Sequence, residues 1–209
     1  MTTKKIIGLA LTLTAVGFVL YHSVYFENLT ERRQKEMMKN FDPQQLVDYF
    51  WTNEKDSILA KCIDLDLFHE LLGGSYALLV EQHGRKASVG DNACFLVCGA
   101  AKVEQVSEKN IAFVYGGARY AMPCKLIFSN TARDALGYFK IENFENSMDY
   151  NTVSAELNRR IVQEIIGDKC KSLAAGAVVE FTGAIDVSSD RLPLKEAEII
   201  PLKFEVVSQ

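Results

Sequence analysis

One stretch of the sequence gathers most of the polar side chains that could bind a ligand. Arg133 and Asp134 are adjacent in a turn between a predicted strand and a predicted helix. A guanidinium group offers a planar fork of donors, and together with a carboxylate it could clamp a hydroxylated or carboxylate ligand. The alternative is structural, with both side chains locking the strand to the helix. The candidate ligand-binding set is Asn130, Thr131, Arg133, Asp134, Tyr138, Asn143 and Asn146.

The rest of the sequence offers no pattern typical of catalysis or metal binding. A zinc site needs several Cys, His or carboxylate ligands at short spacings, and His69 and His83 have no such neighbours. Cys62 and His69 stand seven residues apart, a rise of about 10.5 Å on a helix, which is too far for a thiolate–imidazole pair. We therefore predict no catalytic residue, no metal and no cofactor.

The five cysteines predict little covalent cross-linking. Because their number is odd, at least one is unpaired, and two of them, four residues apart on one predicted strand, are too far apart to bridge. The pattern predicts buried apolar thiols, with a single disulfide as the alternative and no disulfide framework. The cysteines are Cys62, Cys94, Cys98, Cys124 and Cys170.

An apolar segment near the start of the sequence predicts membrane targeting. Residues 6–24 are almost wholly apolar or small and follow Lys4 and Lys5, a layout typical of a signal peptide or signal anchor. No small-x-small cleavage site follows, and no nearby cysteine is available to accept a lipid. We therefore favour an uncleaved transmembrane anchor over residues 1–26, followed by a charged helical stalk over residues 27–41.

The net charge and the chain length limit the possible partners and the number of domains. The formal net charge is −4, and the predicted anchor contributes two lysines and no acid, so the rest of the chain is more acidic. Such a surface repels phosphate backbones, which excludes nucleic acid as a partner. At 209 residues, the chain is long enough for one well-packed core and too short for two large domains.

Residues 42–209 are predicted to form a single α+β domain. Its first part, residues 42–90, is helical, beginning at the capping residue Asp42 with Pro43 in the first turn. Trp51 falls on the apolar stripe of the first helix, which predicts core packing.

The second part, residues 91–209, predicts an OB-like small β-barrel. A helix over residues 148–166, ending at Gly167, separates three strands from two. The Gly99 region predicts a bulge or bend in the first strand. The alternative architecture is an open antiparallel sheet packed against the same helices. The predicted strands cover residues 93–106, 110–115, 119–128, 178–187 and 198–206.

The stretch around the Arg-Asp pair also carries a family resemblance. It resembles the signature of predicted periplasmic lipoproteins called domain of unknown function 2291. Weaker similarity runs from Phe41 through Trp51 and Gly84-Arg85 to Gly183-Ala184. The residues that carry the central match are Arg133-Asp134-Ala135, Phe144, Asn146, Tyr150, Val153, Leu157 and Asn158.

The resemblance implies a bacterial domain on the periplasmic side of the inner membrane, without a known activity. Members of the family are associated with sugar-type ABC import systems, which implies an accessory role. The implied partners are the membrane, reached through the N-terminal helix, ABC transporter components and a small polar ligand.

These observations lead to three functional hypotheses. The first is a non-enzymatic, membrane-anchored periplasmic module that binds a partner or small solute. The alternative is an envelope enzyme that uses the Arg133-Asp134 turn on a small polar or sugar substrate. A third hypothesis makes the domain a spacer within an envelope assembly.

Overall fold

The computed structural model describes residues 41–86 and 92–208, all of which belong to one unit, Asn40–Gln209. The predicted anchor, residues 1–26, and the predicted stalk, residues 27–41, lie outside the described residues except for Phe41. Within the described ranges, no helix is both long and apolar enough to cross a membrane.

Short helices and two short strands precede the main sheet. Asp42 caps α1 as predicted, because its carboxylate accepts from the backbone N–H groups of Gln44 at 2.8 Å and Gln45 at 3.3 Å. Pro43 stands in the first turn, where an N–H would have no intrahelical partner. The elements are α1 (Pro43–Asn53), α2 (Lys55–Leu59), β1 (Ile63–Asp64), α3 (Leu65–Gly74), α4 (Tyr76–His83) and β2 (Arg85–Lys86).

Six further strands follow. They are β3 (Asn92–Lys102), β4 (Gln105–Val106), β5 (Asn110–Tyr115), β6 (Ala118–Pro123), β7 (Val178–Ser188) and β8 (Glu196–Ser208). The predicted bulge at Gly99 is absent, since β3 pairs with β7 in unbroken register through it. Space at this position is tight, because a Cβ would lie 3.2 Å from the Cβ of Leu65.

The strands form one sheet in the order β1-β3-β7-β8-β6-β5-β4, with β2 also paired to β3. Neighbours are antiparallel except for β1–β3 and β6–β8. The OB-type order of three strands, a helix and two strands is confirmed. In the described residues no ladder joins β3 to β5, so the sheet is not closed into a barrel. Between β3 and β4, a hydrogen bond reaches β5, where the Glu104 N–H donates to the Ala112 carbonyl at 2.9 Å.

Aromatic rings from several elements meet in the core. Phe68 of α3 packs on Phe95 of β3 with ring centroids 5.5 Å apart. Phe113 of β5 contacts Tyr120 of β6 at 5.4 Å and Phe181 of β7 at 5.5 Å. Phe113 and Tyr120 are direct cross-strand partners, so their rings lie on the same face of the sheet.

A helical segment between β6 and β7 carries the candidate sites. It consists of α5 (Thr131–Leu136), a 3₁₀ turn (Ile141–Asn143), α6 (Ser147–Arg160), a π-helical stretch (Ile161–Ile166) and α7 (Gly167–Ser172). The prediction that the helix ends at Gly167 is wrong. Gly167 N–H donates to the Val162 carbonyl, and a Cβ at this position would lie 2.5 Å from that oxygen. Gly167 therefore lets the chain continue through the wider π turn.

Two disulfides replace the predicted free thiols. Cys62 is bonded to Cys98, and Cys124 is bonded to Cys170, while Cys94 is free and buried. The first bond follows from the pairing of β1 beside β3, which brings Cys62 next to Cys98. The sequence did not predict this two-residue strand, and so the expectation of at most one disulfide was wrong.

Trp51 lies at the edge of the core, not within it. The core positions of α1 are filled by Leu46, Val47 and Phe50, whereas Trp51 is half-buried. Lys55 Nζ lies 4.4 Å from the centroid of its ring, and the Arg160 guanidinium lies 5.7 Å away. The ring therefore serves as a surface for two cations, contrary to the core prediction.

Candidate functional site

The adjacent Arg133 and Asp134 form the centre of a buried polar network. Arg133 is 4% exposed. Its Nη2 and Nε donate to Asp134 Oδ1 at 2.8 and 2.9 Å. Its Nη1 donates to the Tyr150 carbonyl at 3.1 Å and to Asn151 Oδ1 at 3.2 Å. Each guanidinium nitrogen thus has an acceptor within the protein.

Tyr150 completes this network from α6. The Arg133 guanidinium lies 3.5 Å from the centroid of the Tyr150 ring. The Tyr150 hydroxyl donates to Asp134 Oδ1 at 3.3 Å and to the Phe139 carbonyl at 3.4 Å, and burial raises the pKa of this hydroxyl. The network fastens α5 to α6, which matches the structural interpretation of the Arg-Asp pair.

The other residues of the predicted set are dispersed around this segment. Asn146 caps α6, since its Oδ1 accepts from Asp149 N–H at 2.9 Å. The Thr131 hydroxyl accepts from Ser129 Oγ at 2.6 Å. The Tyr138 ring packs 4.9 Å from that of Phe50.

Asn143 and Asn130 are the last two residues of the predicted ligand-binding set. Asn143 is half-buried in the 3₁₀ turn, and Asn130 lines a groove described below. Within the predicted set, Arg133 donates to the Asp134 carboxylate, and the Asp134 N–H donates to the Asn130 carbonyl at 3.0 Å. Ligand contact by the set as a whole stays a prediction.

The groove runs along α6 beside this network and has a volume of about 460 Å³. One wall is the chain segment 125–130, which follows β6. The other wall is formed by α6 and the π-helical stretch, through Asn151, Ser154, Ala155, Asn158, Arg159, Val162 and Gln163. We call this feature the α6 groove.

Two residues that line the α6 groove each contain a buried oxygen without a hydrogen-bond partner among the described residues. The two oxygens are Ser154 Oγ and Asn158 Oδ1. Ser154 is 4% exposed and Asn158 is 6% exposed. Asn158 Nδ2 donates to the Ser129 carbonyl at 2.8 Å, which fixes the carboxamide. Since buried polar groups are nearly always hydrogen-bonded, the pair indicates a site for an external hydrogen-bonding group.

The segment wall exposes apolar side chains beside these atoms. Leu126 is 69% exposed and Phe128 is 90% exposed, while Ile127 between them is buried. In the described part of the chain, the backbone groups of residues 125–128 make no hydrogen bond. The wall thus offers both apolar surface and unpaired main-chain groups.

A disulfide links the two walls of the groove. Cys124 immediately precedes the segment wall, and Cys170 lies in α7, which continues the helical wall. Both cysteines are buried, at 4% and 7% exposure. The bond therefore limits the separation of the two walls.

A second cluster of titratable groups lies between α3 and the β5–β6 hairpin. Tyr120 Oη and His69 Nε2 are hydrogen-bonded at 2.7 Å, and burial lowers the pKa of His69. Tyr115 donates to Asp66, and that hydrogen bond raises the pKa of Tyr115 to about 12. Among the described residues no cluster of three or more potential ligands could hold a metal ion.

Comparison with family models decides the relationship that the sequence motif suggested. The model described as "Predicted periplasmic lipoprotein (DUF2291)" matches residues 14–205. The chain belongs to the DUF2291 family. The family description places this DUF2291 protein in the periplasmic envelope, and the family's function is unknown.

Solved structures support the fold of this DUF2291 protein. A crystal structure of an OB-fold protein from Thermotoga maritima is similar with a TM-score of 0.70 and 20% sequence identity. The match covers 79% of this chain and 98% of that one. At this identity, the likeness supports the OB-type fold alone. No curated protein matches the chain.

Sequence reasoning missed Ser154 and Asn158 as candidate site residues of this DUF2291 protein. Asn158 contributed to the family motif but was not assigned to a site. The available signal is their position, since each follows directly after a buried apolar residue, Val153 or Leu157, one helical turn apart. Two polar residues on the inner side of an amphipathic helix need partners or have a binding role.

Proposed function

We propose that this DUF2291 protein is a membrane-anchored, non-enzymatic periplasmic binding module and that the α6 groove is its binding site. The observation that carries the proposal is the pair of buried, unpartnered oxygens, Ser154 Oγ and Asn158 Oδ1. An unmade hydrogen bond at a buried site costs about 1–3 kcal/mol. A bound partner that supplies both hydrogen bonds recovers this free energy.

The Arg133-Asp134 pair, predicted to lie in a turn but found in helix α5, is a weaker candidate. Its Arg133 nitrogens already bond to Asp134, Tyr150 and Asn151. A catalytic carboxylate needs access to a substrate proton. Here Asp134 accepts from both Arg133 and Tyr150. This arrangement favours a binding module over an envelope enzyme that acts on a small polar or sugar substrate.

The proposal includes the location and partners implied by the family resemblance. Residues 1–26 anchor the domain at the inner membrane, and the groove faces the periplasm. An accessory role beside a sugar-type ABC transport system makes its components the first partners to test. A small polar ligand is the alternative occupant of the groove.

Site-specific photo-crosslinking in the native membrane tests the proposal. A photoreactive phenylalanine analogue replaces Phe128 at the groove wall or, as a control, Val207, which is 58% exposed at the end of β8. Neither Val207 nor its strand lines the groove. We expect a discrete adduct from position 128 that is absent from position 207.

The adduct identifies the partner by mass spectrometry. Transporter subunits in the adduct support the accessory role, and another envelope protein supports a binding module outside transport. A small-molecule adduct at position 128 also supports the binding site. Identical adduct patterns from both positions, or none from position 128, contradict the assignment of the groove.

A further inference from the structure

We infer that the α6 groove takes an extended polypeptide segment of a partner protein, bound through its main chain. This inference rests on the proposed function and names the chemistry of the occupant. The supporting observations are the spacing of the two free oxygens, the alternation along the segment wall, the concave shape of the groove and the charge of its lining.

The spacing of the unpartnered oxygens fits a peptide main chain. Ser154 and Asn158 are four residues apart on α6, an axial distance of about 6 Å. In an extended chain, residues two positions apart present their N–H and C=O groups to the same side, at intervals of about 6.6 Å. Asn158 Oδ1 can accept from one peptide N–H, and the Ser154 hydroxyl can donate to a carbonyl one repeat away.

The opposite wall resembles an unpaired strand edge. Leu126 and Phe128 are exposed and Ile127 is buried, which is the alternation of an extended chain with one face on the protein. The main-chain groups of residues 125–128 make no hydrogen bond in the described part of the chain. A peptide beside this segment can pair with it, as in binding by strand addition.

The shape of the surface favours a peptide over a lipid surface. A bilayer contact is made best by apolar side chains that project from a convex surface. Here Leu126 and Phe128 instead border a concave groove with polar atoms buried inside it. A membrane would leave those atoms without hydrogen bonds, whereas a peptide main chain supplies both a donor and an acceptor.

Charge adds a preference at the ends of the peptide. The groove lining includes Lys125 and Arg159 and no carboxylate, although the protein as a whole is acidic. Both cations have partners, since Lys125 contacts Glu108 at 3.2 Å and Arg159 contacts Glu156. The expected peptide therefore carries apolar residues at alternate positions and an acidic residue at one flank.

Three probes distinguish the occupants, using the full-length protein in detergent micelles. The probes are a phage-displayed library of short random peptides, a panel of mono- and oligosaccharides, and vesicles of phosphatidylethanolamine and phosphatidylglycerol. Peptides selected from the library are synthesised, and their dissociation constants are measured by fluorescence anisotropy. Each is also made with single backbone N-methyl groups, which remove one N–H without changing the side chains.

We expect selected peptides whose binding weakens about tenfold or more in Leu126→Ser, Phe128→Ser and Ser154→Ala variants. Val207→Ser, which removes an exposed apolar side chain outside the groove, leaves the affinity unchanged. N-methylation at alternate peptide positions causes a similar loss, because it removes the N–H that Asn158 or the segment wall accepts.

Other results overturn the inference in distinguishable ways. Saccharides that bind with the same variant sensitivity, while no peptide does, refute the peptide occupant and leave the proposed binding module standing. Vesicle binding lost in Phe128→Ser, without peptide or saccharide binding, refutes both and identifies a lipid contact. Peptide binding insensitive to all three groove variants, or no binding by any probe, also refutes both.

Discussion

Two neighbouring regions of α6 differ in how their polar groups are satisfied. In the Arg133 network, Arg133 is buried and hydrogen-bonded to Asp134 and its other neighbours. In the α6 groove, Ser154 and Asn158 are buried and each keeps an oxygen without a partner among the described residues. Asn151 belongs to both regions, since it accepts from Arg133 and lines the groove. The network adds to stability, whereas the unpartnered oxygens lower it and keep hydrogen-bonding capacity for another molecule.

The difference gives a physical criterion for separating structural and binding residues. The Arg-Asp pair is chemically the more suggestive, yet its atoms are already engaged. Serine and asparagine are unremarkable in a sequence, but here their lack of partners distinguishes them. The contrast predicts different effects of substitution in the two regions.

Removal of the Arg133 side chain tests the hydrogen-bonded Arg133 network. Arg133→Ala leaves the Asp134 carboxylate without its main partner, and we expect the free energy of unfolding to fall by about 3 kcal/mol or more. The measurement is urea denaturation followed by circular dichroism. Lys125→Ala, which breaks the exposed pair with Glu108, is expected to cost less than about 1 kcal/mol. Equal effects of the two variants would contradict a structural role for Arg133.

The disulfides offer a matched pair of tests for groove geometry. Cys124 and Cys170 are 46 residues apart, and Cys62 and Cys98 are 36 apart. Loops of such similar length predict similar losses of about 2–4 kcal/mol when either pair is replaced by serine. Only loss of the Cys124–Cys170 bond is expected to weaken binding in the groove, because only this bond links its walls. Equal loss of binding in both double variants would remove the disulfide from the site.

The cluster around His69 is a third region whose polar groups are hydrogen-bonded, and its contribution to the free energy of unfolding depends on pH. Burial holds the pKa of His69 below its value of 6.5 in the unfolded chain, so the unfolded state binds more protons in the window between the two pKa values. The stability contributed by the neutral ring is present above pH 6.5 and is lost as the pH falls through the folded-state pKa.

Substitution checks this pH dependence. His69→Gln is expected to reduce the fall in stability between neutral pH and pH 5, measured by urea denaturation at each pH. His83→Gln serves as the matched control, because His83 is the other histidine of the described residues. A profile that is identical in wild type and His69→Gln would show that another group titrates.

Much of the fold followed from local patterns. The change from helical to strand periodicity near residue 91 predicted the OB-type order, and Asp42 with Pro43 predicted the start of α1. These features depend on neighbouring residues, so one sequence is enough to reveal them. The short strand β1 has no such periodicity, and therefore the bond between Cys62 and Cys98 could not be predicted.

The site was less predictable for a related reason. Residue types suggested the Arg133-Asp134 pair, but only the packing of α5 on α6 shows that Tyr150 and Asn151 occupy its donors and acceptors. Likewise, Ser154 and Asn158 became candidates only after their burial and missing partners were known. Whether a polar group has a hydrogen-bond partner depends on tertiary packing, so it cannot be inferred from a single sequence.

The unfolding free energy of Ser154→Ala tests the central claim most directly. This change removes only a hydroxyl that is buried and has no partner among the described residues. We expect the variant to be as stable as the wild type or up to about 1 kcal/mol more stable, while its affinity for the selected peptide falls. Asn146→Ala, which removes the cap of the same helix, should cost about 1 kcal/mol. A comparable loss in Ser154→Ala would show that the hydroxyl already stabilises the fold and would contradict the assignment of the groove.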